Sequence, residues 1–278
     1  MRHRSFAALA LAAVASLGLA ACGGSGSTSS DASGSSSDVV TLTVGATPSP
    51  HAKILNYVND NLAADAGIKI KVVEYTDYVQ PNTALNDGEL DANFYQTVPY
   101  LENAEKQAGY DFEAGAGIHL EPLGVFSQKH KSLDELPNGG TIGIISDTSN
   151  QERALRLLAT QGLVSIPEGE GDVNINTVTK LKDFSFNEVE GPQLVRSLED
   201  FDYAVINGNF AQEGGLSLSG DALVVESPVD NPAVNVLVWK AGNDKAAAIA
   251  KLEELLHSDQ VKQYIESTWS DGSVIPAF

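Results

Sequence analysis

Three groups of residues in this chain are spaced so that they could hold a small molecule. Asn93-Phe94-Tyr95-Gln96 is followed closely by Pro99-Tyr100-Leu101, which packs three aromatics into a short stretch. Such a cluster either builds core or lines a slot for an apolar group. Arg153 follows Ser149-Asn150-Gln151-Glu152, an S-x-x-E capping pattern that predicts a helix start. Unpaired N–H groups and the helix dipole favour an anion there, and an arginine just inside adds to that field. Alone, an arginine in this position also reads as a surface residue. Asn207 ends the apolar run Tyr203-Ala204-Val205-Ile206, at the strand end where α/β proteins commonly hold ligands. Asn235 interrupts the apolar run from Val234 to Trp239, so if buried it needs partners, from a ligand or from a loop.

Catalytic patterns are missing from the sequence. It contains no G-x-S-x-G, no H-E-x-x-H and no G-x-x-x-x-G-K-[ST]. His51, His119, His130 and His257 are scattered, without metal-ligand spacing. Asp87, Glu89 and Asp91 cluster as solvated surface carboxylates do. The expectation is a binding protein rather than an enzyme, with no metal and no cofactor.

Strands alternating with helices must position these residues. Thr41 to Gly45 alternates, with Leu42 and Val44 on one face, and predicts a strand. The turn Thr47-Pro48-Ser49-Pro50 follows. Ile54, Leu55, Val58 and Leu62 repeat at helical spacing, and Ile68, Ile70 and Val72 form a second alternating strand. Thr141 to Ile145 is a further strand, followed by a helix that buries Ala154, Leu155, Leu157 and Leu158. Asn207-Gly208-Asn209 reads as a turn. Val234 to Trp239 is a late strand and Ala246 to Leu256 a late amphipathic helix. This order implies an α/β protein.

The N-terminus carries an export signal. Arg2 and Arg4 precede an apolar run from Phe6 to Ala21 that is short and rich in small residues, as in a signal peptide. The run ends Leu19-Ala20-Ala21-Cys22, which is similar to a bacterial lipobox; the alternative is an ordinary signal with an incidental cysteine. In lipobox signals the cysteine carries two acyl chains, enough for stable attachment. Cys22 is the only cysteine, so no internal disulfide is expected. Gly23 to Ser37 is almost entirely small and polar and reads as a tether. Across the chain, 37 acidic side chains face 17 basic ones, a net of −20. Such acidity argues against nucleic acid as a partner.

The ordered segments resemble the NlpA/MetQ family of methionine-binding lipoproteins, the substrate-binding components of methionine ABC importers. The resemblance rests on Thr76-Asp77-Tyr78-Val79-Gln80-Pro81-Asn82, Leu90-Asp91-Ala92-Asn93-Phe94-Tyr95-Gln96 and His119-Leu120-Glu121-Pro122-Leu123-Gly124. It continues with Asn150 and Arg153, Glu190-Gly191-Pro192-Gln193-Leu194, Val205-Ile206-Asn207 and Val234-Asn235. It implies a two-lobed, type II-like periplasmic-binding-protein fold with a cleft between the lobes. The expected divisions are a signal peptide at 1–21, lipidated Cys22 and tether at 22–38, the first lobe at 39–122 and 231–278, and the second lobe at 123–230. Crossovers are expected near Glu121 to Phe126 and near Glu226 to Asn235.

For the site, the resemblance implies that Arg153 pairs with the ligand carboxylate. Asn150, Asn207 and Asn235 would hold its polar end. Tyr78, Phe94, Tyr95, Tyr100 and His119 would line the side-chain slot. Where many members carry a histidine after the glutamine of the aromatic block, this chain has Thr97. The implied function is capture of methionine, with the choice between the L- and D-forms left open, at the outer face of the cell membrane by a lipid-anchored monomer that delivers it to an ABC importer permease. Rival readings are the same fold binding another apolar amino acid or a methionine-containing dipeptide, and a surface lipoprotein that binds a protein partner.

Overall fold

The computed structural model describes residues 39–169 and 171–278; the signal sequence, Cys22 and the tether lie outside the described residues. The first strand, β1 (Val40–Ala46), buries Leu42, Val44 and Ala46. One helical turn at Pro48–Ala52 then leads into α1 (Lys53–Asn61), whose Ile54, Leu55 and Val58 are buried. β2 (Ile68–Glu74) returns parallel to β1, with Ile68 opposite Val40. After α2 (Gln80–Asn86), β3 (Ala92–Thr97) lies parallel on the other side of β1. α3 (Val98–Ala108) begins without a linker and is followed by β4 (Phe112–Leu120).

A second sheet starts with β5 (Gly124–Phe126) and β6 (Gly140–Ile145). α4 (Thr148–Thr160), the short ribbon of β7 (Val164–Ser165) and β8 (Thr179–Lys180), β9 (Phe184–Val189) and α5 (Gly191–Arg196) come next. β10 (Tyr203–Ile206), α6 (Gly208–Glu213), α7 (Leu218–Asp221) and β11 (Ala222–Val225) complete this half. The chain then returns through β12 (Val234–Lys240), α8 (Ala246–Leu256), α9 (Asp259–Thr268) and β13 (Ile275–Pro276).

The first sheet has the order β13-β4-β12-β3-β1-β2 and the second β11-β5-β10-β6-β9. The protein is thus an α/β fold of two lobes, one around each sheet. One core joins Leu42, Ile54, Leu252 and Ile265; the other joins Ile142, Leu155, Leu158 and Val205. Fully burying one such side chain is worth about 1.5–3 kcal/mol. Residues 121–123 and 226–233 carry the chain between the sheets.

Two local expectations change. Asp147, not Ser149, caps α4, and its carboxylate accepts the backbone N–H of Asn150 at 2.8 Å. A carboxylate two residues upstream of the serine also reaches the Asn150 side-chain amide, so the helix starts earlier than the S-x-x-E pattern predicts. Asn207-Gly208-Asn209 is not a turn: Asn207 is the N-cap position of α6, which starts at Gly208.

Candidate ligand-binding site

Strand ends and helix starts of both lobes converge on one cavity with about 350 Å³ of space between its atoms. The first lobe contributes His51 from the turn after β1, Tyr78 from the segment before α2, Tyr95, Gln96 and Thr97 from β3, Tyr100 from the first turn of α3, and Asn235 from β12. The second contributes Asn150 and Arg153 from α4 and Asn207, Gly208 and Asn209 around the start of α6. Glu121 comes from the first crossover.

The apolar wall is three tyrosines. Tyr95 and Tyr100 both donate to the Tyr78 carbonyl, at 2.9 and 2.8 Å. The Tyr78 hydroxyl reaches across the lobes to donate to Asn209 Oδ1 at 2.5 Å, and its ring stacks on Phe210 at 4.7 Å. Burial pushes the Tyr78, Tyr95 and Tyr100 hydroxyls above the usual phenol range, so they stay neutral. Beneath them Asn82, Asn93 and Gln96 form a buried amide cluster, with Asn93 Nδ2 and Gln96 Nε2 both donating to Asn82 Oδ1. That cluster fixes β3 against α2.

The polar wall carries both charges. Asn207 Nδ2 donates to Asn150 Oδ1 at 2.8 Å, and Asn150 in turn donates to Asp147. His51 accepts at Nδ1 from the Thr47 hydroxyl at 2.6 Å and donates from Nε2 to Asn235 Oδ1 at 3.0 Å, a tautomer assigned from these partners. Glu121 Oε1 lies 2.9 Å from His119 Nε2, while Oε2 is buried without a hydrogen-bond partner among the described residues. Burial lifts the Glu121 carboxyl to about 7 despite His51 and Arg153 nearby, and holds Asp147 at about 6. Burial also lowers His51 to about 4 and His119 to about 3, so both rings are neutral near pH 7. A Cβ on Gly208 would sit 2.9 Å from the Glu121 Cβ, so only glycine lets α6 approach this carboxylate.

Arg153 lines both the cavity and an outer groove. Its Nε and Nη2 donate to Glu226, and Nη2 also donates to the Glu121 carbonyl at 2.7 Å. The planar fork expected for a ligand is therefore spent on Glu226. The helix start is likewise already capped by Asp147. Arg156 is exposed and pairs with Glu152 one turn back.

Of the residues singled out in the sequence, Arg153, Asn150, Asn207, Asn235, Tyr78, Tyr95 and Tyr100 meet on the cavity wall. Phe94 and His119 do not. Phe94 is fully buried and packs edge-on against His51 at 4.8 Å, and His119 lies behind Glu121. Neighbouring strand side chains point to opposite faces, so Phe94 turns into the core when Tyr95 faces the slot. The cavity wall also holds His51, Gln96, Glu121, Gly208 and Asn209, which the sequence does not mark as site residues. Glu121 was visible within His119-Leu120-Glu121-Pro122, but nothing local marked its role. Two of the scattered histidines also converge: His51, His119 and Glu121 have ligand atoms within 4.8 Å of one another, a set able to face a cation; here His119 is hydrogen-bonded to Glu121, and His51 to Thr47 and Asn235.

Comparison with known proteins places this geometry among relatives. The family model described as NlpA lipoprotein matches residues 42–278. The methionine-binding lipoprotein MetQ of Bacillus subtilis is 35% identical over 241 residues, covering 84% of this chain and 87% of that protein. A crystal structure of a protein from Actinomyces odontolyticus superposes with a TM-score of 0.85 at 87% identity, covering 87% of this chain and 100% of the other. A nutrient binding protein from Burkholderia cenocepacia, bound to methionine, gives a TM-score of 0.80 at 34% identity, covering 85% of this chain and 100% of the other.

Proposed function

The chain belongs to the NlpA lipoprotein family, and on that premise we propose that it captures methionine outside the cell and delivers it to an ABC importer. One observation carries the reading: a single cavity offers a buried carboxylate, an arginine and a wall of tyrosines. That set matches a zwitterion with an apolar tail. Arg153 takes the carboxylate. Glu121, Asn207, Asn150 and Asn235 surround the polar end, with Glu121 as counter-charge to the ammonium. Tyr78, Tyr95 and Tyr100 hold the side chain, where sulfur–ring contacts add about 0.3–1.5 kcal/mol. Phe94 and His119 support this wall from behind. The lobes, at 39–122 with 231–278 and at 123–230, open and close about the two crossovers to admit the ligand.

Thermal shift against L- and D-methionine, other apolar amino acids and methionine-containing dipeptides tests the reading. Dipeptides belong in the panel because Thr97, Asn150 and Arg153 line both the cavity and the outer groove. A ligand at a thousandfold over its Kd stabilises by about 4 kcal/mol. If no amino acid or dipeptide moves the melting temperature, the reading fails.

Binding is expected to depend on pH. The Glu121 carboxyl sits at about 7 in the empty site. A ligand ammonium beside it lowers that value, so binding releases a proton below about pH 7. Affinity should therefore be nearly level above about pH 7 and fall as pH drops below about 7, by up to about tenfold per unit. Calorimetry across this range checks the trend, and Glu121→Gln should flatten it. Affinity that rises on acidification would rule out the assigned role of Glu121.

Anchoring is part of the same proposal. Cys22 takes the lipid and holds the protein at the outer face of the membrane. Cys22→Ala is expected to move the protein from the membrane fraction to the soluble one, read by fractionation and blotting. Mass spectrometry finding unmodified Cys22 in membrane-bound protein would contradict it.

A further inference from the structure

Arg153 has more work in this structure than pairing with a ligand. A guanidinium carries five N–H donors. Nε–H points at both Glu226 oxygens, at 2.9 and 3.2 Å. One Nη2 hydrogen meets Glu226 Oε2 at 2.5 Å and the other meets the Glu121 carbonyl at 2.7 Å. Only Nη1 makes no hydrogen bond to a described residue. Glu226 Oε2 also accepts the backbone N–H of Leu123 at 3.1 Å. Both side chains are largely buried, Arg153 at 14% and Glu226 at 13% exposure.

Position gives this contact its meaning. Glu226 opens the second crossover, while Glu121 and Leu123 bound the first. One side chain of α4 is thus bonded to both segments that join the lobes. A buried bidentate pair fixes the plane of the guanidinium, and a fixed plane fixes where its remaining edge points.

We propose that Glu226 is a positioning residue for ligand recognition: it clamps the Nε–Nη2 edge of Arg153 against both crossovers and so aims Nη1 at the ligand carboxylate. This rests on the reading of Arg153 as the carboxylate partner. Glu226 touches no ligand. Without its charge, Arg153 is released toward the outer groove, which both residues line. The opposite arrangement, in which Glu226 competes with the ligand for Arg153, predicts the reverse effect and is distinguishable.

The test compares L-methionine with L-methioninamide, which keeps the ammonium and the tail but lacks the carboxylate. Calorimetry, with competition for the weaker ligand, gives the preference for acid over amide in wild type and in Glu226→Gln. The substitution is expected to reduce that preference by about tenfold, mainly by weakening the acid. A merely structural role would weaken both ligands alike and leave the preference unchanged, which overturns the proposal. Tighter binding of methionine by Glu226→Gln overturns it too, in favour of competition. If Glu226→Gln does not fold, Glu226→Asp serves: it keeps the charge but shortens the reach, and the preference should fall by an intermediate factor. An unchanged preference there also overturns the proposal. Wild type that binds no methionine is a different failure, since it removes the methionine reading before any variant is compared.

Discussion

Arg153→Ala is expected to weaken methionine binding by about 2–5 kcal/mol, because it leaves a desolvated carboxylate without its partner. The change also strands Glu226, which loses both arms of its pair. Arg156→Ala, three residues on, should change binding by less than about 1 kcal/mol. Its side chain is 57% exposed and bonded to Glu152, the kind of surface pair that contributes little. Arg153→Lys should rescue only partly, since an ammonium cannot hold the Glu226 fork and face the ligand at once. Calorimetric titration of the three variants decides this. Wild-type affinity in Arg153→Ala, or failure of Arg156→Ala, would remove Arg153 from the site.

Phe94→Ala is expected to cost about 3–5 kcal/mol of folding stability, as deletion of a fully buried aromatic does. Its ring lies among Leu42, Ile118 and Leu237 and contacts His51 and His119. The loss should appear in denaturant unfolding of the ligand-free protein, and the ranking of amino-acid ligands should hold. A variant with unchanged stability and an altered ranking would return Phe94 to the slot.

These two residues mark what the sequence could and could not disclose. The short apolar runs Tyr203 to Ile206 and Val234 to Trp239 read as strands, and the structure has strands at Tyr203–Ile206 and Val234–Lys240. Asn207 was legible because a polar residue ends such a run. Phe94 and Tyr95 were not separable, since composition says that both are aromatic but not which way each faces. Asp147 and Ser149 can both cap a helix, and only the three-dimensional partners of Asp147 decide between them. His51 and Glu121 stand far apart in the chain and meet at one end of a sheet in which β12, from late in the sequence, is inserted between β4 and β3. No local pattern encodes that insertion.

The same insertion sets an order of assembly. The second sheet draws all five strands from one continuous stretch, 124–225. Once that stretch is available, it has every neighbour it needs. The first sheet does not: β4 and β3 are each left with an open edge until β12 arrives between them. Pairings of such long sequence separation close slowly. As the chain emerges, the second lobe can therefore mature while the first waits for its late central strand. Asn235 rides on that strand, so the cavity wall is finished by one of the last segments to arrive. A chain that ends before β12 lacks both Asn235 and the strand that joins β3 to β4, so this side of the cavity wall is completed only when that strand has joined the sheet.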